Sequence, residues 1–309
     1  MKYSENVRLY DHEPRPKDYL FAMTTVIIWG GSFAAIKYAL VQAEPSLIIL
    51  LRFIFSIPVL FAGCLIEKKF RFPTKKEALI LLFLGFQGIF FHQGIQAVAM
   101  KTAGAGNANW LMVGSPALVA LLGAIFLGEK ISRAGIAGLI ISAVGMALVL
   151  ARGTAAETAE AGSFGTAGDY IMLLSVLNWA VFLIISRKLL KGTMHPAFSI
   201  FWELVFALCF AFITSLIVGT DYSLVLNFTP QTWLAIIFLG ALSSALAYLF
   251  WYKALSVMPA ARLVIFQFLQ PIAGMIISYF LIGERYTIWL VLGAAMIVTG
   301  IRLVNKRVR

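Results

Sequence analysis

Long apolar runs separated by short polar gaps set the pattern of this chain. The runs lie near 19–41, 46–66, 77–100, 103–127, 132–151, 169–190, 196–219, 231–254, 259–282 and 286–305. Each approaches the roughly 20 apolar residues a helix needs to cross about 30 Å of hydrocarbon. The pattern predicts an all-α integral membrane protein of ten transmembrane helices. Most gaps are short, as between antiparallel neighbours. The longest, 152–168, is rich in Gly, Ala and Thr and reads as an external flexible linker. Residues 1–17 carry Lys2, Glu5, Arg8, Asp11, Glu13, Arg15 and Lys17 without an apolar core, so they read as a polar cytoplasmic tail and not a cleaved signal peptide. Residues 306–309 form a short basic cytoplasmic tail.

Composition agrees with the pattern. Of 309 residues, 61% are hydrophobic and 13% charged, against the roughly 25% charged residues usual in soluble domains. Most of the outer surface must therefore meet lipid. The formal net charge of +11 does not imply nucleic acid, because the basic residues fall in gaps between apolar runs and not on a polar domain. Their distribution sets an orientation. With the N-terminus in the cytoplasm, 20 of the 25 basic residues lie in the tails and in every second gap, among them Lys68, Lys69, Arg71, Arg187, Lys188, Lys191 and Lys253. The expected location is the plasma or inner membrane, with both termini cytoplasmic. Cys64 and Cys209 fall inside apolar runs and read as small hydrophobes. No metal-ligand spacing and no cofactor motif is present, and no cofactor is expected.

The two halves repeat. Phe83-Leu84-Gly85 recurs as Phe238-Leu239-Gly240, Pro116 as Pro271, Gly128-Glu129 as Gly283-Glu284, Gly138 as Gly293 and Gly145 as Gly300, every pair 155 positions apart. Asp18-Tyr19 recurs as Asp169-Tyr170, and Trp29 aligns with Trp179 within one residue. The halves are 18–151 and 169–305, five spans each. An odd number turns the second half over in the membrane, the inverted-repeat plan on which many secondary transporters are built.

The Trp29–Phe33 run WGGSF followed by Lys37, the Leu51-Arg52-Phe53 run, Pro116 followed by Gly128-Glu129, and their second-half copies resemble the EamA family of the drug/metabolite transporter superfamily, over about residues 18–305. The resemblance implies two tandem EamA units, a small-molecule exporter or exchanger, and a central cavity between the halves. It also implies a role for Phe91-His92, since aromatic-amino-acid exporters of the family place an aromatic-His pair in this helix. It names no substrate.

Ionisable and polar groups in the bilayer are costly, so each has a functional and a structural reading. His92 with Gln96, four residues apart on one face, either binds substrate or a proton, or is a neutral histidine bonded to a neighbouring helix. Glu203, the only acidic residue well inside a span, joins His92 as a candidate for proton coupling; pairing with a basic group is the alternative. Arg52, its repeat counterpart, and Lys37 either attract an anionic substrate or, for Lys37, snorkel. Trp29, Phe91, Trp110, Trp179 and Phe266 either line an aromatic cavity or simply pack. Asn109, Asn178, Gln267 and Gln270 either face that cavity or bond between helices. Glu129 and Glu284 read as caps or ion-pair partners, Pro116 and Pro271 as mid-helix kinks, and Gly135, Gly138, Ser142 and Gly145 as a close-packing stripe.

The expected function is a secondary transporter of small organic metabolites, such as amino acids or drug-like compounds, working by alternating access. A monomer suffices for it. The alternative is a membrane-embedded enzyme acting on lipid or peptide, disfavoured because no Asp pair or nucleophile–base motif appears. No phosphate-binding loop is present for a self-contained primary pump.

Overall fold

The computed structural model describes residues 14–127, 132–152, 165–190, 194–257 and 263–304. In chain order its helices are α1 (Pro16–Ala39), α2 (Pro45–Ile66), α3 (Lys75–Ala99), α4 (Ala105–Val113), α5 (Ser115–Leu127), α6 (Arg133–Arg152), α7 (Ala167–Leu190), α8 (Pro196–Ile217), α9 (230–257), α10 (Leu269–Ile282) and α11 (Ile288–Val304). No β-strand occurs among the described residues. The N-terminal tail before residue 14, Glu129, most of the linker and the basic C-terminal tail lie outside them.

Proline starts four of these helices. Pro16, Pro45, Pro196 and Pro230 each occupy the first helical positions, where the missing N–H has no partner to lose and φ is already helical. A capping box of Thr74 and Glu77 opens α3. Gly219 and Gly283, both at φ 67°, stop α8 and α10 in the left-handed turn that glycine takes without cost.

Seven helices, α1, α2, α3, α6, α7, α8 and α9, are long and apolar enough to cross a membrane. The other three predicted spans contain shorter apolar helices. The run 103–127 is divided between α4 and α5 at Gly114. The runs 259–282 and 286–305 hold Phe266–Ile282 and Ile288–Leu303. Pro116 and Pro271 account for part of this. Pro116 is the second residue of α5, and Pro271 the third residue of α10 after a 3-10 turn at Val264–Phe268. Both prolines stand in the first turn of a segment and not mid-helix, so neither forfeits a ladder hydrogen bond.

The surface is apolar and the interior partly polar. Ile66, Ile217 and Phe280 are about 80% exposed, while Arg52, His92, Asn109 and Glu203 are buried. Helices approach through glycine. A Cβ on Gly145 would stand 2.7 Å from the Gly293 carbonyl oxygen, and one on Gly300 would stand 2.4 Å from that of Gly138. The expected stripe thus closes α6 onto α11, with Ser142 Oγ donating to the Ile297 carbonyl (3.4 Å). In the same way Gly85 abuts the Glu203 carbonyl oxygen (2.4 Å from an ideal Cβ) and Gly240 that of Arg52 (2.6 Å). Both glycines sit in π-helical turns, Gly85–Phe91 in α3 and Phe238–Leu246 in α9.

Polar contacts sort the helix ends into two groups. On one side Glu67 pairs with Lys253 and lies 3.7 Å from His195 Nδ1. Phe21 of α1 stacks on Phe250 there and meets Lys253. On the other side Gln42 accepts from Thr229 and Thr232, Thr220 donates to Ser46, Gly168 N donates to Thr102, and Gly106 N donates to Glu284. Glu284 thereby caps α4, held by Tyr286 Oη (3.1 Å).

Candidate substrate site

A narrow cavity lies between α1, α2, α3, α4, α7, α9 and the segment leading into α10. Both halves of the sequence line it. Its aromatic wall is Trp29, Phe33, Trp179 and Tyr248, and its polar groups are Ser32, Arg52, His92, Gln93, Gln96, Ser243, Gln267 and Gln270, with Met112 beside them. Trp29 stands edge-on to Trp179 (centroids 6.1 Å) and to Tyr248 (5.2 Å), and its Nε1 donates to the Ser243 carbonyl at 3.2 Å. The rings therefore hold one another in place.

The π-helical turn in α9 brings Ser243 and Ser244 to α2. Arg52 Nε donates to Ser244 Oγ at 2.5 Å and Nη2 to Ser243 Oγ at 3.1 Å. Ser244 in turn donates to Gln93 Oε1 (3.2 Å), and Gln93 Nε2 donates to Tyr248 Oη (3.3 Å). Among the described residues Arg52 Nη1 has no hydrogen-bond partner, nor do Trp179 Nε1 and Gln267 Oε1.

His92 follows the π-helical turn of α3. Its Nε2 lies 3.1 Å from Gln96 Nε2, and its Nδ1 lies 3.1 Å from Ser175 Oγ. With the Gln96 amide as donor, Nε2 is the accepting nitrogen and Nδ1 carries the proton toward Ser175. The ring stacks on Trp179 at 4.9 Å and 23°.

Of the sequence candidates, Trp29, Arg52, His92, Gln96, Trp179, Gln267 and Gln270 meet in this cavity. The others lie elsewhere. Lys37 Nζ donates to the Ala103 carbonyl at 2.9 Å. Phe91 lines a separate apolar groove between α2, α3 and α8. Asn109 Nδ2 donates to the Gly30 and Ala105 carbonyls, both at 3.1 Å. Trp110 Nε1 meets Met275 Sδ (3.3 Å), and Phe266 packs near Tyr19 (6.1 Å). Asn178 exchanges hydrogen bonds with Gln87 at 2.8 and 3.0 Å. Glu203 is buried and accepts from Tyr252 Oη at 3.1 Å, while its Oε1 has no partner among the described residues. Ser32, Phe33, Met112, Ser243 and Tyr248 line the cavity without having been singled out from sequence. For Tyr248 a signal existed, since it stands 155 positions after Gln93.

The EamA-like transporter family model matches the chain twice, over residues 17–151 and 166–306. The chain belongs to the EamA-like transporter family. It is a multi-pass membrane transporter built from two tandem EamA units, not an enzyme. An uncharacterized transporter of Archaeoglobus fulgidus is 27% identical, covering 94% of this chain and 98% of its own. A probable amino-acid metabolite efflux pump of Escherichia coli is 23% identical, covering 92% and 93%. A crystal structure with TM-score 0.67 covers 94% of this EamA chain and 97% of its own at 19% identity, which speaks to the fold alone.

Proposed function

We propose that this EamA transporter is a ten-helix secondary exporter or exchanger of small organic metabolites, working by alternating access between two inverted five-helix halves, 18–151 and 169–305. The observation that carries the reading is the central cavity, to which both halves contribute aromatic and polar side chains. Reciprocal packing supports the inversion. Contact of Gly145 with Gly293 and of Gly300 with Gly138 exchange under the 155-residue offset, and Gly85–Glu203 matches Gly240–Arg52. The start of α1 lies beside Lys253, whereas the start of α7 lies beside Thr102. An α1 and an α7 that begin at opposite ends favour opposed halves. The side gathering Lys68, Lys69, Arg71 and Lys253 faces the cytoplasm of the plasma or inner membrane by the positive-inside rule, and both termini are cytoplasmic. The name of the Escherichia coli relative favours amino-acid metabolites among the cargoes.

Counterflow in proteoliposomes tests the reading. Vesicles loaded with unlabelled amino acids, nucleosides or drug-like solutes should accumulate at least one labelled counterpart faster than empty-vesicle controls. No protein-dependent accumulation across the panel refutes it. Orientation is checked by single cysteines at Lys69 and Thr229 in a chain lacking Cys64 and Cys209. An impermeant maleimide added to intact cells should label only the second.

A further inference from the structure

We propose that the cavity selects carboxylate-bearing substrates, with the carboxylate seated on Arg52 Nη1 and a substrate N–H or O–H donated to Gln267 Oε1. The inference rests on the transport reading above and names the substrate class for the same site.

Arg52 is 3% exposed, deep in the bundle, and no carboxylate reaches it among the described residues. The nearest acidic candidate by sequence reasoning, Glu203, accepts from Tyr252 instead and does not line the cavity. A guanidinium in such a place is held at high desolvation cost unless an anion compensates it. Two of its nitrogens are fixed by Ser243 and Ser244, and Ser244 is fixed in turn by Gln93. That arrangement aims the plane and leaves Nη1 as the donor without a partner. A carboxylate oxygen can accept from that one remaining N–H group in a charge-assisted hydrogen bond.

The rest of the lining narrows the class. Arg52 is its only side chain of fixed charge, and hydrogen bonds occupy both ring nitrogens of His92. One cation suits a monoanionic carboxylate better than a phosphate dianion, and it repels organic cations. Gln267 Oε1, the unpartnered acceptor, suits an amine or hydroxyl. Trp29, Trp179 and Tyr248 offer faces and edges to an apolar or flat side group. Together these describe amino acids and hydroxy acids with apolar side chains.

The test uses the full chain in proteoliposomes and two matched series, phenylalanine, leucine and phenyllactate against phenylalaninamide, leucinamide and phenyl phosphate. Counterflow competition should favour each acid over its amide by about tenfold or more, the effect of losing one charge-assisted hydrogen bond. Phenyl phosphate should compete poorly. Arg52→Gln, accepted only if its thermal midpoint and gel-filtration profile match the parent, should erase the acid–amide difference. The series in the parent protein tests the claim even where the variant does not fold. Equal competition by acids and amides, or preferred transport of a cation or nucleoside, overturns the carboxylate proposal and leaves the transport reading standing. Absence of flux for every solute overturns both.

Discussion

The amide of Gln93 donates to the hydroxyl of Tyr248 across 3.3 Å, and the two residues are 155 positions apart, the offset of the internal repeat. The contact therefore joins equivalent positions of α3 and α9 at the cavity wall. It also ends the chain of hydrogen bonds that runs from Arg52 through Ser244. Replacing Tyr248 by Phe keeps the ring that packs on Trp29 but removes the acceptor for Gln93 Nε2. The expected result is a folded protein destabilised by about 1 kcal/mol and clearly slower in counterflow. Thermal unfolding and flux measured on one preparation check both. Unchanged flux would separate this network from transport.

The α6–α11 seam should tolerate no side chain. An ideal Cβ on Gly293 lies 2.8 Å from the Gly145 carbonyl oxygen and 2.8 Å from Val149 Cγ2, so Gly293→Leu must push two backbones apart. Overpacking of this kind costs about 1–3 kcal/mol or more. Gly293→Leu is expected to lower the thermal midpoint sharply or to abolish recovery of folded protein. Gly94→Ala is the control. It has open space around its Cβ within α3, and alanine favours a helix by up to about 1 kcal/mol over glycine. It should be neutral or mildly stabilising.

How far such features could be read from sequence depends on what sets them. The helices and their starts follow from hydropathy and from Pro16, Pro45, Pro196 and Pro230, which act locally. The stripe of Gly138, Ser142 and Gly145 read as a close-packing face, but its partner α11 lies far along the chain and was not legible. Division of the fourth run was not legible. Pro116 looked like a mid-helix kink, whereas the run breaks at Gly114 and Pro116 stands second in the helix that follows. The π-helical turns of α3 and α9 were invisible too, since Gly85 and Gly240 reveal a small residue but not the wider winding. Those turns place His92, Ser243 and Ser244. Polar residues were legible as polar, but their partners belong to other helices. Hence Asn178 and Asn109, which looked like cavity groups, are occupied by Gln87 and by Gly30 and Ala105.

The capped start of α3 should depend on pH. Arg71 bonds both carboxylate oxygens of Glu77, at 2.5 and 2.8 Å, and Thr74 adds its N–H and hydroxyl. The Arg71 hydrogen bond first, and then the Thr74 backbone bond, lower the Glu77 pKa from 4.5 to about 2. A folded pKa below the unfolded one stabilises fully above about pH 4.5, and the contribution is lost as pH falls toward 2. Amide exchange in the first turn of α3 is expected to accelerate over that interval. Glu77→Gln should remove most of this acid dependence while raising exchange at neutral pH. Salt should weaken the effect, because Arg71 is half exposed.

Glu284 offers a test on the opposite side of the membrane. Its Oε2 accepts from Gly106 N at 3.0 Å and from Tyr286 Oη at 3.1 Å, so one carboxylate ties the turn after α10 to the start of α4. A carboxylate at a helix N-terminus satisfies an orphan N–H and meets the positive end of the helix dipole. Burial and the neighbouring Glu284 carboxylate raise the Tyr286 pKa above 10, so its phenol stays protonated as the donor through neutral pH. Glu284→Gln keeps a carbonyl acceptor but loses the charge, and should cost about 0.5–1 kcal/mol. Glu284→Ala loses the acceptor as well and should cost about 1–2 kcal/mol. If this tie also closes the side that the proposed orientation places outside the cell, the alanine variant should expose a cysteine placed at Asn107 to an impermeant maleimide faster than in the parent. Equal labelling rates with lowered thermal stability would restrict Glu284 to capping.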